Sequence, residues 1–146
     1  MTISTGDILG NSQVGVYLSV IGKNLFYPTS LEKSAIEEIE QAFELEMNPI
    51  LIGGSSLLGS LIVGNSKGIA VADIATEEDL DILSSFGEVV ILESGVNAAG
   101  NLVECNDFGA EVSKSIPTPG VELIGEVLGV NTARTRVAGQ DTVGSL

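Results

Sequence analysis

The chain has 146 residues, of which 44% are hydrophobic, and this size and composition fit one globular domain with a real core. Twenty acidic residues against six basic ones give a net charge of −14, which argues against the broad phosphate-neutralising surface that non-specific DNA binders need. One cysteine, Cys105, and no histidine exclude an internal disulfide, a serine–histidine–acid triad and zinc sites built on histidine or several cysteines.

Neither a membrane span nor a signal peptide is expected from the sequence. No apolar run approaches the roughly 18–20 residues of a membrane span. The N-terminus, MTISTGDILG, has neither the basic region nor the apolar core of a signal peptide. With a single cysteine, this pattern predicts a cytoplasmic protein without a membrane partner.

A glycine recurs along the chain at intervals of 44, 41 and 44 residues, each time after small or polar residues. Self-similarity at such a period is the signature of a repeat architecture. We call these positions the anchor glycines: Gly15, Gly59, Gly100 and Gly144.

The first element of each repeat is predicted to be a strand. Apolar runs directly follow the first three anchor glycines, written VYLSV, SLIVG and NLVEC. A turn begins six residues after the glycine at Asn65–Gly68 and Asn106–Gly109, and Ile21–Asn24 holds this place in the first repeat. Asparagine and glycine accept the positive φ angles of tight hairpins, so a second strand is expected after each turn.

A helix is expected next in each repeat. Thr29 with Glu32, and Thr76 with Asp79, have the spacing of capping boxes. The apolar side chains that follow recur at helical spacing, so one face of each helix is expected to point inward.

The third helix has different end signals. Thr118 followed by Pro119 predicts a cap with proline at the first helical position, and Gly129 predicts the stop. A third strand then closes each unit. The inward-facing residues predicted for the three helices are Ile39, Leu83 and Ile124.

The predicted fold class is therefore an α/β (α+β) repeat of strand–strand–helix–strand units within a single domain, 1–146. Three complete units are expected, followed by the start of a fourth. Their approximate ranges are 1–54, 55–95 and 96–139, with the fourth beginning at 140–146.

The stretch IGGSSLLGS, residues 52–60, invites two functional interpretations. A P-loop requires Lys-[Ser/Thr] after its last glycine, and a nucleophile elbow requires G-x-S-x-G; neither pattern is present. Equivalent stretches occur at every repeat boundary. Small residues there are expected to let the first strands of neighbouring units approach closely.

Three segments carry a resemblance to a known family: IGGSSLLGSLIVGNSKGIAV, NAAGNLVECNDFGAEV and VAGQDTVGSL. They resemble the translation initiation factor 6 family of archaea and eukaryotes, and the likeness runs from about Asn11 to Leu146. The resemblance implies a pentein-type β/α propeller, with five units around a pseudo-fivefold axis. It also implies a non-enzymatic factor, without cofactor or metal.

The resemblance further implies a partner. The family binds the large ribosomal subunit, prevents its association with the small subunit and takes part in subunit biogenesis. Its contacts are chiefly with a ribosomal protein near the sarcin–ricin loop, with a possible minor rRNA contact and no DNA. Because this chain has three units and a stub, it is expected to be a C-terminally truncated member, monomeric when complete. The alternative is a naturally short, self-assembling form.

The family's ribosome-facing surface lies at one end of the axis, near the residues after each anchor glycine. Carried onto this sequence, the expected ribosome-binding residues are Ser60, Asn101 and Leu146, with Ser66 in the hairpin turn near the same end. Alternatively, Asn101 satisfies backbone groups at the repeat boundary, Ser60 and Ser66 are ordinary exposed residues, and Leu146 belongs to a core.

Two other functions compete with the ribosomal one. The pentein superfamily includes guanidino-group-modifying enzymes that use a nucleophilic cysteine with a histidine. Cys105 lies before a hairpin turn, but no histidine is present to activate it, so no enzyme activity is expected. The third alternative is an acidic, self-assembling interaction protein unrelated to ribosomes.

Overall fold

The computed structural model describes residues 4–93 and 98–145, which form three successive units of one design. Each unit has two strands, a helix and a third strand, and a short helical turn precedes the first strand. The strands are β1 Ser19–Ile21, β2 Asn24–Pro28, β3 Glu46–Ile50, β4 Ile62–Gly64, β5 Gly68–Ala72, β6 Glu88–Leu92, β7 Val103–Cys105, β8 Gly109–Ser113 and β9 Asn131–Thr135. The helices are α1 Lys33–Ala42, α2 Leu58–Leu61, α3 Glu77–Ser84, α4 Ala99–Leu102 and α5 Thr118–Leu128.

Each unit contributes its own three-stranded sheet, with the strands in chain order. The first and second strands pair antiparallel through the predicted hairpin, and the second and third pair parallel because the helix crosses over between them. The predicted strand–strand–helix–strand repeat is therefore confirmed. No helix in the described residues combines the length and the apolar character needed to cross a membrane.

The prediction that a strand directly follows each anchor glycine was wrong. All four glycines lie inside short helical turns, which we call the anchor turns. In the first three units the first strand begins three or four residues after the glycine. The anchor turns are Val14–Val16, Leu58–Leu61, Ala99–Leu102 and Val143–Ser145.

Backbone packing explains the anchor turns. A Cβ atom added to Gly59 would overlap the carbonyl oxygen of Gly15, and one on Gly100 would overlap that of Gly59. Gly144 meets the carbonyl oxygen of Gly100 in the same way. Only glycine allows the turns to stack this closely, so the small residues do join the units, but through helical turns instead of strands.

The core is shared between neighbouring units. Phe26 and Ile50 of the first sheet pack in one cluster with Leu83 of α3, and Ala70 of the second sheet packs with Ile124 of α5. Leu83 and Ile124 are fully buried, and Ile39 of α1 is 6% exposed, so the predicted inward faces are confirmed. Helix α3 thus covers the first sheet, and α5 covers the second.

Of the two predicted capping boxes, one is formed and the other is not. Thr76 and Asp79 form the capping box: Asp79 N donates to Thr76 Oγ1 at 3.2 Å, and Thr76 N donates to Asp79 Oδ2 at 2.9 Å. The box predicted for Thr29 was wrong, because α1 begins only at Lys33 and Glu32 itself is the N-cap residue. A hydrogen bond from Leu31 N to Pro28 O closes a turn around Thr29, which lies outside the helix.

At α5 the predicted stop is confirmed and the start is shifted by one residue. Gly129 has a φ of 60°, the left-handed conformation of a helix C-terminus. The helix begins at Thr118, with Pro117 in the N-cap position, so Thr118 is not the cap.

Candidate functional site

The stacked anchor turns line a shallow depression of about 560 Å³. Because the turns repeat, the residue after each anchor glycine recurs in the lining. These four residues are Val16, Ser60, Asn101 and Ser145. Gln13 and three of the anchor glycines complete the wall.

The depression brings together two of the four residues expected to bind the ribosome. Ser60 and Asn101 both line it, and both are partly exposed. Ser66 does not line it: it lies beyond β4, at the opposite end of that strand from Ser60. Leu146 lies outside the described residues.

Ser66 has a different environment, among stacked hairpin turns. Its backbone N–H donates to Asp107 Oδ1 at 2.9 Å in the turn of the next unit, and Gly22 of the first turn lies against it. The hydrogen bonds from Ser66, the backbone one first, lower the pKa of the Asp107 carboxyl. Ser66 therefore contributes to the contact between successive turns.

The side chains that line the depression carry no charge, although the chain as a whole has a net charge of −14. Within residues 4–93 and 98–145, the side chains of Ser60 and Asn101 accept and donate no hydrogen bonds. An amide and hydroxyls in a shallow, uncharged depression suit hydrogen bonding to a partner surface, not proton transfer.

Three residues of this lining were not predicted from the sequence: Gln13, Val16 and Ser145. The signal for two of them was present, because Val16 and Ser145 have the same offset from their anchor glycines as Ser60 and Asn101. Leu146 was chosen two residues after Gly144, where the repeat points to Ser145.

The one cysteine lacks the environment of a nucleophile. Burial, followed by the charges of Glu104 and Asp107, raises the pKa of the Cys105 thiol to about 11, so the thiol is protonated at neutral pH. In the part of the chain that the structure describes, no group of three His, Cys, Asp or Glu residues is arranged to hold a metal ion.

Comparison with known proteins gives one family. The sequence model described as the eIF-6 family matches residues 3–146. A protein named Translation initiation factor 6 from Methanoculleus marisnigri is 34% identical over 140 residues, which are 96% of this chain and 64% of the relative. Its namesake from Methanothermobacter thermautotrophicus is 36% identical over 138 residues, 94% of this chain and 62% of that protein.

The chain spans a little less than two thirds of the length of these relatives. Among solved structures, the agmatine deiminase of C. jejuni matches with a TM-score of 0.48 and 13% identity, covering 84% of this chain and 50% of that one. A match of that quality carries no conclusion about activity.

Proposed function

The chain belongs to the eIF-6 family, and from this premise we propose that it binds the large ribosomal subunit and prevents its association with the small subunit. Its roles are then in large-subunit biogenesis and in translation initiation, in the cytoplasm. The depression formed by the anchor turns is the contact surface, and its uncharged lining is the observation that carries the proposal.

Charge supports a protein as the main contact. For a chain with a net charge of −14, binding to rRNA phosphates is electrostatically unfavourable unless basic residues neutralise the phosphates. The lining of the depression has no basic residue. Hydrogen-bonding groups such as Ser60 and Asn101 instead match the polar contacts of protein interfaces. The proposed partner is thus a ribosomal protein near the sarcin–ricin loop, with at most a minor rRNA contact.

A subunit-joining assay tests this function. Purified archaeal large and small subunits are mixed with and without the chain, and joined ribosomes are measured on a sucrose gradient. We expect the chain to reduce the joined peak in proportion to its concentration. If the subunits join as fully at a saturating concentration of the chain as without it, the proposal is contradicted.

Two serine variants locate the effect in that assay. Ser60→Arg puts bulk and charge into the depression and is expected to abolish the inhibition of joining. Ser66→Arg makes the same chemical change at an exposed serine outside the depression and is expected to leave the inhibition unchanged. Equal behaviour of the two variants would argue against the depression as the contact surface.

A further inference from the structure

The third strand of each unit lies at the outer edge of its three-stranded sheet. These strands are β3, β6 and β9, and within residues 4–93 and 98–145 no other strand pairs with their outer sides. In a parallel ladder, the backbone N–H and C=O groups of successive residues point alternately to the two sides of a strand. Every second residue of an edge strand therefore presents a donor and an acceptor that a further strand could use.

The register of β6 on β5 identifies which of its backbone groups point outward. Glu88 N donates to Lys67 O at 3.3 Å, so the backbone of Glu88 faces β5. By alternation along the strand, the N–H and C=O groups of Val89 and Ile91 point away from the sheet. β6 thus offers two donors and two acceptors along its outer edge.

The fourth residue of the third strand differs in kind between the three units. In β3 it is Pro49, which has no N–H to donate at the place where β6 has Ile91. In β9 it is Arg134, whose guanidinium donates to Lys114 O at 2.8 Å and to Ile116 O at 3.0 Å. Proline and charged side chains are two means by which proteins prevent an edge strand from pairing with another chain.

β6 has neither of these features. Its sequence is EVVIL, and the β-branched valines and isoleucine favour extended backbone. A groove of about 490 Å³ runs between this strand and the start of α5. Its lining includes Ile91, which is 38% exposed, and Leu123, which is 50% exposed. The second sheet therefore combines an open backbone edge with an apolar groove beside it.

Charge indicates the kind of segment that fits this edge. Glu88 begins the strand and Glu93 follows it, and both are exposed, so a carboxylate stands at each end. Among the described residues, no basic side chain lines the groove. A complementary segment is extended, with apolar side chains for the groove and lysine or arginine for the two carboxylates.

We propose that the outer edge of β6 binds an extended, basic segment of a partner protein as a fourth strand of the second sheet. The backbone groups of Val89 and Ile91 exchange hydrogen bonds with this segment. Every second side chain of the segment packs in the groove against Leu123, and its basic side chains lie near Glu88 and Glu93. This assignment does not depend on the ribosomal function.

A second copy of this chain is a poor occupant of the edge. In an antiparallel pair of two β6 strands, Val89 of one copy faces Ile91 of the other, which brings Glu88 beside Glu93 of the other copy. Like charges at neighbouring cross-strand positions repel, and each chain has a net charge of −14.

Titration with a capped peptide of alternating valine and lysine, followed by amide hydrogen exchange in ¹⁵N NMR of the whole chain, tests the proposal. At saturating peptide, we expect the N–H groups of Val89 and Ile91 to exchange at least about tenfold more slowly. The amides of Val90 and Leu92 already face β5 and are expected to change little. The control peptide has glutamate in place of lysine and is expected to bind at least about tenfold more weakly.

Three variants of the chain complete the test. Ile91→Pro removes an outward N–H and gives β6 the residue that β3 has at this place, so we expect peptide binding to weaken at least about tenfold. Leu123→Lys puts a cation into the groove and is expected to weaken binding as well. Ile82→Lys makes the same kind of change at an apolar residue of α3 that is 41% exposed and lies outside the groove, and it is expected to leave binding unchanged.

Each of these comparisons has a result that would overturn the proposal. Such results are equal binding of the two peptides, no selective slowing at Val89 and Ile91, and unchanged binding by Ile91→Pro. Equal binding by Leu123→Lys and Ile82→Lys would also overturn it, even if Ile91→Pro did not fold. A dimer in sedimentation equilibrium that dissociates in Ile91→Pro would make a second copy the occupant instead.

Discussion

Asn65 and Asn106 occupy the same place in successive hairpin turns and differ in what lies on them. Asn65 is 4% exposed, and its amide joins two units by donating to Leu128 O and Asn106 O. Asn106 is exposed. Position in the repeat, and not residue type, therefore decides how much each contributes to the stability of the fold.

Replacing each asparagine by aspartate measures that difference. Asn65→Asp keeps the turn bonds but places a carboxylate against two carbonyl oxygens in a buried site, and we expect it to lower the free energy of unfolding by about 2–3 kcal/mol. Asn106→Asp makes the same change at an exposed position and is expected to cost less than about 0.5 kcal/mol. Urea denaturation followed by circular dichroism gives both values, and equal losses would contradict this account.

The sequence predicted the asparagine turns but not the contacts of their amides. Oδ1 of Asn65 acts within its own turn, so local spacing reveals it. Nδ2 reaches Leu128, 63 residues further along the chain, and no local pattern encodes such a contact.

Helix starts also show that a local sequence pattern does not always give the local structure that it predicts. The Thr76 box formed, and its Asp79 carboxylate also accepts from Gly53 N at 2.7 Å, at the boundary with the preceding unit. Thr29 has an equivalent partner three residues on, yet its segment turns before the helix begins. The hydrophobic stripe of each helix was predictable because it follows from local periodicity.

Alanine substitution at the two threonines tests this interpretation. We expect Thr76→Ala to lower the free energy of unfolding by about 1 kcal/mol, since it removes an N-cap acceptor. Thr29→Ala removes an exposed hydroxyl that makes no cap, so we expect the midpoint of thermal unfolding to stay unchanged within experimental error. If Thr29→Ala lowered the free energy of unfolding as much as Thr76→Ala does, Thr29 would cap the first helix in solution, and this interpretation would be wrong.

The whole molecule is organised by the anchor glycines. Their spacing predicted the repeat and the location of the boundaries, since a period of this length is visible in one sequence. The helical form of the anchor turns was not predictable, because it results from contacts between turns more than 40 residues apart. The same spacing led to Ser60 and Asn101 in the depression, but it could not show that Ser66 lies elsewhere.

Glycine-to-alanine substitutions distinguish the anchor glycines at which a Cβ atom would overlap a neighbouring turn from Gly15, at which it would not. Gly100→Ala places a methyl group into the carbonyl oxygen of Gly59 and is expected to cost about 3 kcal/mol or more, because the backbone has to move. Gly15→Ala meets no described atom within 4 Å and has no positive φ, so it is expected to be tolerated. Thermal unfolding of the two variants checks this, and similar melting temperatures would refute the stacking.

The proposed function rests on the claim that the depression contacts the large ribosomal subunit. Co-sedimentation of the chain with isolated large or small subunits tests this contact, using the wild-type chain and Asn101→Arg with their thermal melts in parallel. We predict binding to the large subunit alone, weakened about thirtyfold by Asn101→Arg, or about 2 kcal/mol, with an unchanged melting temperature. Equal binding to both subunits, or wild-type binding by a variant that melts at a lower temperature, would contradict the claim.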